Sequence, residues 1–137
     1  MPQTQKRARG CQSQPLSKCI LISFSSMEEC QTLQVILKNN VFSRHTSKQG
    51  IYQIDETVNG KRSWISATNA IWFIPEINDW AIGYLENIGA TLCGIHSTGD
   101  QGDKSPSDIP NDRWKYLSDS EWKDAPSGDI IINCATI

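Results

Sequence analysis

The chain has 137 residues, of which 38% are hydrophobic and 20% charged, and its formal net charge is −2. This size suits one ordinary domain, and this composition is typical of a folded globular protein rather than a disordered one. The charge is uneven, because residues 1–40 carry five Lys or Arg against two Glu, whereas residues 41–137 carry eight against thirteen Asp or Glu. A duplex-binding surface needs a basic footprint, so the acidic part argues against a nucleic-acid partner.

The first forty residues divide into two stretches. Residues 1–18 are rich in Gln, Ser, Lys and Arg and show no apolar periodicity, so we expect a flexible tail. Residues 19–40 are predicted to be a helical N-terminal segment. The sequence SMEE at residues 26–29 fits a helix capping box, and the apolar residues that follow recur at helical spacing. We therefore predict one amphipathic α-helix over residues 26–39.

Residues 41–137 form a predicted aromatic-rich β domain, in which the hydrophobic period is two and turn residues recur at short intervals. This pattern predicts a mainly β fold, a small single domain built as an antiparallel meander with one N-terminal α-helix. Asn59-Gly60 is the clearest turn, because both residues tolerate the positive φ angles of a type I′ hairpin. The apolar run at residues 70–75 predicts a strand covered on both faces. The predicted strands are residues 50–57, 62–68, 70–75, 80–86 and 91–98, a short strand in 113–122 with a turn near 118–120, and a closing strand over 129–136.

Sequence landmarks between Gly50 and Cys134 follow one order: a tyrosine, Val-Asn-Gly-Lys, Trp-Phe, Trp-x-Ile-Gly, Trp-x-Tyr, a further tryptophan and a final Ile-x-x-Cys. In this order the chain resembles a repeat module found in multidomain extracellular and microbial-eukaryote proteins. The resemblance implies a non-enzymatic display or interaction domain, and it carries over no active site. The landmark residues are Tyr52, Val58 to Lys61, Trp72 and Phe73, Trp80 to Gly83, Trp114 to Tyr116, Trp122, and Ile131 to Cys134.

The tryptophans suggest both a core and a binding face. Trp64 is a candidate surface contact, because polar residues surround it beside the Asn-Gly turn. We predict a non-catalytic binding or interaction module for a protein or carbohydrate ligand, with contacts from this hairpin tip and from the acidic loop 99–112, which we expect to be exposed. Four tryptophans at strand-like or turn-flanking positions are predicted to pack in the core: Trp72, Trp80, Trp114 and Trp122. The predicted binding residues are Asn59, Lys61, Arg62 and Trp64.

The alternative function is a small thiol- or metal-dependent enzyme centred on Cys93 and His96. Their spacing resembles half of a zinc site, and an imidazole beside a thiol lowers the pKa of that thiol. His45 is a second candidate partner for the thiol, and it or Cys134 is a further candidate metal ligand. Two residues three apart in a strand point to opposite faces, however, which argues against both chemistries. The sequence therefore predicts no cofactor and no metal site.

The five cysteines bear on assembly and compartment. Cys93 and Cys134 lie in predicted β elements and are a candidate disulfide, with two buried thiols as the alternative. A third possible function is a structural or adhesive matrix module, which requires self-association. Cys11 and Cys19 are the candidate intermolecular links for it. The chain shows no export signal, no glycosylation sequon and no segment long enough to span a membrane. We expect an extracellular location if the chain belongs to a longer secreted protein, and a cytoplasmic one otherwise.

Overall fold

The computed structural model describes residues 29–135, apart from the side chains of residues 40–42. Nearly all of these residues belong to one compact unit, which spans residues 31–137. The predicted flexible tail 1–18 and the start of the predicted helix lie outside the described residues. The sheet and the candidate site both belong to the unit that begins at residue 31.

Nine antiparallel strands form one sheet that curls into a half-barrel. They are β1 Thr32–Leu37, β2 Gly50–Val58, β3 Lys61–Ile65, β4 Asn69–Ile74, β5 Asp79–Tyr84, β6 Ile95–Ser97, β7 Trp114–Ser118, β8 Glu121–Asp124 and β9 Ile130–Cys134. The first eight strands follow the chain as a meander, each hydrogen-bonded to the next. The ninth returns to pair with β1, so that β8 and β9 are the two edges of the sheet. The predicted mainly β, antiparallel class is confirmed.

The predicted α-helix over residues 26–39 is wrong where the structure describes it. Its central part is β1, and pairing with β2 on one side and β9 on the other outweighs the local helical signal. Leu33 and Val35, two positions apart, are both fully buried, as a strand requires. The sheet therefore begins before residue 41, and the described residues contain 3₁₀ segments but no α-helix. Those segments are Asn40–Lys48, Leu85–Asn87, Gln101–Asp103 and Pro106–Asp108.

The hairpin turns have the backbone angles that their sequences predict. Asn59 and Gly60 have φ angles of 56° and 87°, which are the positive values of the type I′ turn between β2 and β3. Asp119 and Ser120, which join β7 to β8, take φ angles of 51° and 67°. All six residues of β4 are buried, which confirms a strand covered on both faces.

Aromatic side chains fill much of the core. Trp72, Trp80 and Trp114 are at most 3% exposed, as predicted. Trp122 is 40% exposed, so its predicted core position is wrong; it lies on the edge strand β8, whose four residues are all exposed. One buried cluster places a cysteine against the middle of β4 and β5, and its members are Ala70, Trp72, Ile74, Ala81 and Cys93.

The cysteine pairing corrects the candidate Cys93–Cys134 disulfide. Cys134 forms a disulfide with Cys30, and Cys93 is a free, buried thiol. The sheet topology explains the difference, because Cys134 lies on β9, next to β1, whereas Cys93 precedes β6. Five strands separate β6 from β9 in the order of the sheet, so strand pairing does not bring Cys93 and Cys134 together.

Candidate functional site

A cavity of about 380 Å³ lies where three parts of the chain meet. They are the end of the 3₁₀ segment Asn40–Lys48, the chain that leads from β5 to β6, and the tip of the β7–β8 hairpin. Small-molecule sites in proteins begin at about this size. We call the cavity the Lys48 pocket, and its chemically distinctive lining residues are Arg44, His45, Lys48, Tyr84, Leu92 and Cys93.

Two buried side chains hold the end of the 3₁₀ segment against the sheet. The Tyr52 hydroxyl donates to the Lys48 carbonyl at 2.6 Å, and the Asn69 side-chain amide donates to the Ser47 carbonyl at 2.8 Å. Burial raises the pKa of Tyr52, so its hydroxyl stays protonated and remains a donor. Because β2 and β4 supply these donors, the pocket wall is built on rigid strands.

His45 presents a free lone pair inside the protein. Its Nε2 lies 2.9 Å from the Leu117 carbonyl oxygen, and since a carbonyl can only accept, Nε2 carries the proton of the neutral ring. Nδ1 therefore keeps its lone pair, and it is buried without a hydrogen-bond partner among the described residues. Burial lowers the pKa of His45 by more than the Leu117 bond raises it, so the ring is neutral near neutral pH.

Lys48 is the most unusual residue of the pocket. It is only 2% exposed, although lysines are almost never buried without a partner. Its Nζ lies 4.6 Å from the centroid of the Tyr84 ring, a cation–π contact. Among residues 29–135, no carboxylate lies within ion-pair distance of it. Burial lowers the pKa of Lys48, an effect that the nearby Cys93 thiol opposes.

Gly94 makes this close packing possible. A Cβ atom at Gly94 would lie 2.9 Å from both His45 Cε1 and Lys48 Cε, and 3.0 Å from His45 Nδ1. The backbone of Gly94 is fixed between two strands, because its N–H donates to the Ile82 carbonyl at 3.1 Å and its carbonyl accepts from the Leu117 N–H at 2.9 Å. Only a glycine leaves room for both side chains at this position.

The rim of the Lys48 pocket combines charge with apolar surface. Arg44 and Asp119 form an ion pair of 3.2 Å, with side chains that are 74% and 75% exposed. Such an exposed pair contributes little stability, so its partners are easily redirected. Tyr84 and Leu92 are 50% and 63% exposed and supply the apolar part. The pocket therefore offers cations and an aromatic surface together.

The predicted hairpin-tip residues do not form one exposed site. Trp64 is 2% exposed and packs edge-on against Trp80 at 5.9 Å, so its interpretation as a surface contact is wrong. The Asn59 side-chain amide donates to two backbone carbonyls, at 2.9 and 3.1 Å, which is a structural use. Lys61 is half-buried, with its Nζ 5.0 Å from the centroid of an aromatic ring, so of the four predicted binding residues only Asn59 and Arg62 are exposed.

The Cys93–His96 centre does not assemble. Cys93 lines the Lys48 pocket with His45, whereas the His96 ring lies 4.3 Å from Trp122 and its Nδ1 lies 2.7 Å from the Ser97 carbonyl. Burial raises the pKa of Cys93 to about 11, so its thiol is protonated and not an activated nucleophile. In the described part of the chain, no group of three His, Cys, Asp or Glu residues can hold a metal ion.

The acidic loop 99–112 is only partly exposed. Buried contacts anchor it, since the Asp79 carboxylate accepts hydrogen bonds from the Gln101 N–H at 2.9 Å and the Ser97 hydroxyl at 2.8 Å. Pro106 and Ile109 are buried as well. The loop aspartates are exposed: Asp100, Asp103, Asp108 and Asp112.

Comparisons with other proteins add nothing to this geometry. No protein-family model, curated protein or solved structure matches the chain. No helix within residues 29–135 is long and apolar enough to cross a bilayer.

Sequence reasoning identified part of the pocket and missed the rest. It named Cys93 and the more distant His45 as a candidate pair, but not Lys48 or Tyr84. No spacing rule links these residues, because the pairing of β4 to β7 and the folded-back 3₁₀ segment bring them together. Gly94 was the one available signal, since a glycine in a strand-like run indicates a close approach of other atoms.

Proposed function

We propose that the domain is a non-catalytic binding module and that the Lys48 pocket holds a small ligand with a carboxylate group and a flat apolar part. The supporting observation is that Lys48 lies buried at an open cavity with no carboxylate partner in the described chain. A buried ammonium group without a counter-ion is costly, and a ligand carboxylate offsets much of that cost through a charge-assisted hydrogen bond.

The rest of the pocket suits the same ligand. Arg44 at the rim gives up only an exposed ion pair when it turns to an anion. Tyr84 and Leu92 present apolar surface against which a flat ligand body stacks. Neutral His45 adds a hydrogen-bond acceptor for a ligand N–H or O–H group.

This proposal keeps the predicted class of protein and moves its site. The resemblance to an interaction module supports a binding role, and so does the absence of an activated thiol at Cys93. The hairpin tip is a weaker candidate, because Trp64 is buried and Asn59 is occupied by backbone carbonyls. The ligand therefore enters at the end of β5 rather than at the β2–β3 turn.

Titration of the protein with sodium benzoate, followed by two-dimensional amide NMR, tests the proposal. Benzoate carries both proposed features, a carboxylate and a flat ring. We expect a dissociation constant of about 1 mM, equivalent to about −4.1 kcal/mol, with the largest shifts at Tyr84 and Gly94. Benzamide, which has the same shape without the charge, should shift these signals much less.

A matched pair of lysine variants provides the control. Lys48→Met should abolish the benzoate shifts, because it removes the cation but keeps an unbranched side chain only one atom shorter. Lys61→Met should leave them unchanged, since Lys61 also lies over an aromatic ring but outside the pocket. Equal shifts in the two variants, or equal binding of benzamide and benzoate, would contradict the proposal.

A further inference from the structure

We propose that Lys48 is also a reactive amine, which captures small aldehydes or ketones in the Lys48 pocket as a Schiff base, with His45 Nδ1 as the proton acceptor. This covalent chemistry goes beyond reversible anion binding, although it uses the same cavity. It does not need a charged ligand.

The placement of two groups carries the inference. His45 Nδ1 and Lys48 Cε lie 3.0 and 2.9 Å from the position that a Cβ atom at Gly94 would take, so these two atoms lie within about 6 Å of each other. Lys48 Nζ does not donate to Nδ1 in this structure, so the proton transfer requires the end of the lysine side chain to turn towards the ring. Both residues line the cavity. His45 is 6% exposed, and its Nδ1 has no partner among the described residues, so a proton acceptor stands beside an amine without a carboxylate.

The burial of Lys48 favours the neutral amine, which is the form that attacks a carbonyl carbon. Burial lowers the pKa of Lys48, so the amine fraction near neutral pH exceeds that of a surface lysine. A carboxylate beside Lys48 would stabilise the ammonium form, and the described chain supplies none. The Tyr84 ring, 4.6 Å from Nζ, and the nearby Cys93 favour the ammonium form, and the effect of burial on the pKa of Lys48 exceeds that of Cys93.

The reaction balances without any oxidant or reductant. Lys48 Nζ forms a bond to the carbonyl carbon, the π electrons of the C=O bond move to oxygen, and that oxygen takes up a proton. The nitrogen gives a proton to His45 Nδ1. The carbinolamine then loses its hydroxyl group as water, with the proton returned by His45, and the nitrogen lone pair forms the C=N bond of an iminium ion. The iminium ion releases its remaining N–H proton to solvent, which replaces the solvent proton that the carbonyl oxygen took up. One amine and one carbonyl compound thus yield one imine and one water, and hydrolysis reverses the capture.

The pocket restricts the carbonyl compound to a small one with an apolar body. The cavity is about 380 Å³, and two of the exposed side chains at its mouth, Tyr84 and Leu92, give it an apolar and aromatic surface. Cys93 lies near Lys48 as a protonated thiol and takes no part in the step. The substrate class is therefore short-chain or aromatic aldehydes and ketones.

Reductive trapping with butyraldehyde tests the inference. The full chain is incubated near neutral pH with limiting butyraldehyde and sodium cyanoborohydride, which reduces the imine to a stable secondary amine, and peptide mass spectrometry then measures the label on each lysine. We expect Lys48 to be labelled about tenfold faster than Lys61. This factor is smaller than the rate increase of about 100-fold or more that a positioned general base typically supplies. Equal labelling of the two lysines would overturn the inference.

Two variants separate reactivity from folding. His45→Gln keeps a donor for the Leu117 carbonyl but removes the Nδ1 lone pair, so labelling of Lys48 should fall about tenfold while the amide NMR spectrum stays folded. Lys48→Arg should remove the fast label altogether. A His45→Gln protein that labels as fast as the parent would exclude His45 as the proton acceptor.

The test is independent of the proposed anion binding, because butyraldehyde is uncharged. Fast labelling without benzoate binding would leave the capture standing and refute the binding proposal. Benzoate binding without fast labelling would do the reverse. If both hold, benzoate should slow the labelling of Lys48 and leave that of Lys61 unchanged, since a carboxylate stabilises the ammonium form.

Discussion

Gly94→Ala is the substitution that most directly tests the geometry of the Lys48 pocket. The φ angle of Gly94 lies outside the left-handed region, so alanine brings no backbone strain, and its effect comes from the added methyl group alone. That methyl group would lie 2.9 Å from Lys48 Cε and from His45 Cε1. Lys48 Cε lies near the end of a flexible chain and moves at little cost. The His45 ring is held by its bond to the Leu117 carbonyl and by packing against Tyr116.

The cost of Gly94→Ala therefore falls mainly on His45. Overpacking of a buried site typically costs about 1–3 kcal/mol, and weakening of one hydrogen bond adds about 1 kcal/mol. We expect a loss of about 2 kcal/mol in the free energy of unfolding, measured by urea denaturation and tryptophan fluorescence. Part of this loss should disappear in a His45→Ala background, because contacting residues are coupled. A Gly94→Ala protein within about 0.5 kcal/mol of the parent would refute the close packing of His45 and Gly94.

Three further predictions test other parts of the structure. Replacing Cys30 and Cys134 together by serine should lower the free energy of unfolding by about 4.7 kcal/mol, which is the chain-entropy value for a loop of roughly 100 residues. Cys93→Ser, in contrast, should leave the disulfide intact in a non-reducing peptide map. Asn59→Gly should lower the free energy of unfolding, measured by urea denaturation, by about 1–2 kcal/mol, because the two side-chain hydrogen bonds are lost. Asn59→Ala should lower it by about 1 kcal/mol more, because alanine disfavours the φ angle of 56°. Equal losses in the two variants would exclude a backbone contribution. The pKa of His45 is lower in the folded protein than the usual 6.5, so the unfolded chain binds more protons around and below that pH. The free energy of unfolding should therefore fall as the pH decreases through 6.5, and His45→Gln should make its pH dependence flatter there. The same pH dependence in the variant and the parent would contradict the burial of His45.

Local turn chemistry explains why much of the sheet was predictable. Asn59 and Gly60 encode their hairpin through backbone angles that few other residues accept, so the positions of β2 and β3 follow from two residues. The apolar run of β4 was likewise predictable from its own sequence, since only a strand covered on both faces needs apolar residues on both sides.

Non-local pairing explains the errors. The residues of β1 match a helical pattern, but their partners include β9, which lies almost a hundred positions later, and no local signal reports that pairing. The disulfide partner of Cys134 was missed for the same reason, since the pairing of β9 with β1 brings it near residue 30. Trp122 could not be distinguished from the core tryptophans, because its exposure follows from β8 being an edge.

The Lys48 pocket is the place where this sequence departs from the rules that a stable fold follows. A lysine is buried without a counter-ion in the described chain, an imidazole nitrogen is buried without a partner, and a glycine replaces a side chain that would fill the space between them. Four other described side chains also carry a buried polar atom without a partner, namely Asn69, Gln101, Ser105 and Trp114, but none of them lines the cavity. Each departure at the pocket costs stability, and hydrogen bonds from β2 and β4 hold the segment that bears Lys48 and His45 in place. Violations of packing and polar pairing that converge on one cavity are typical of a functional site, and the carboxylate ligand that we propose would satisfy them together.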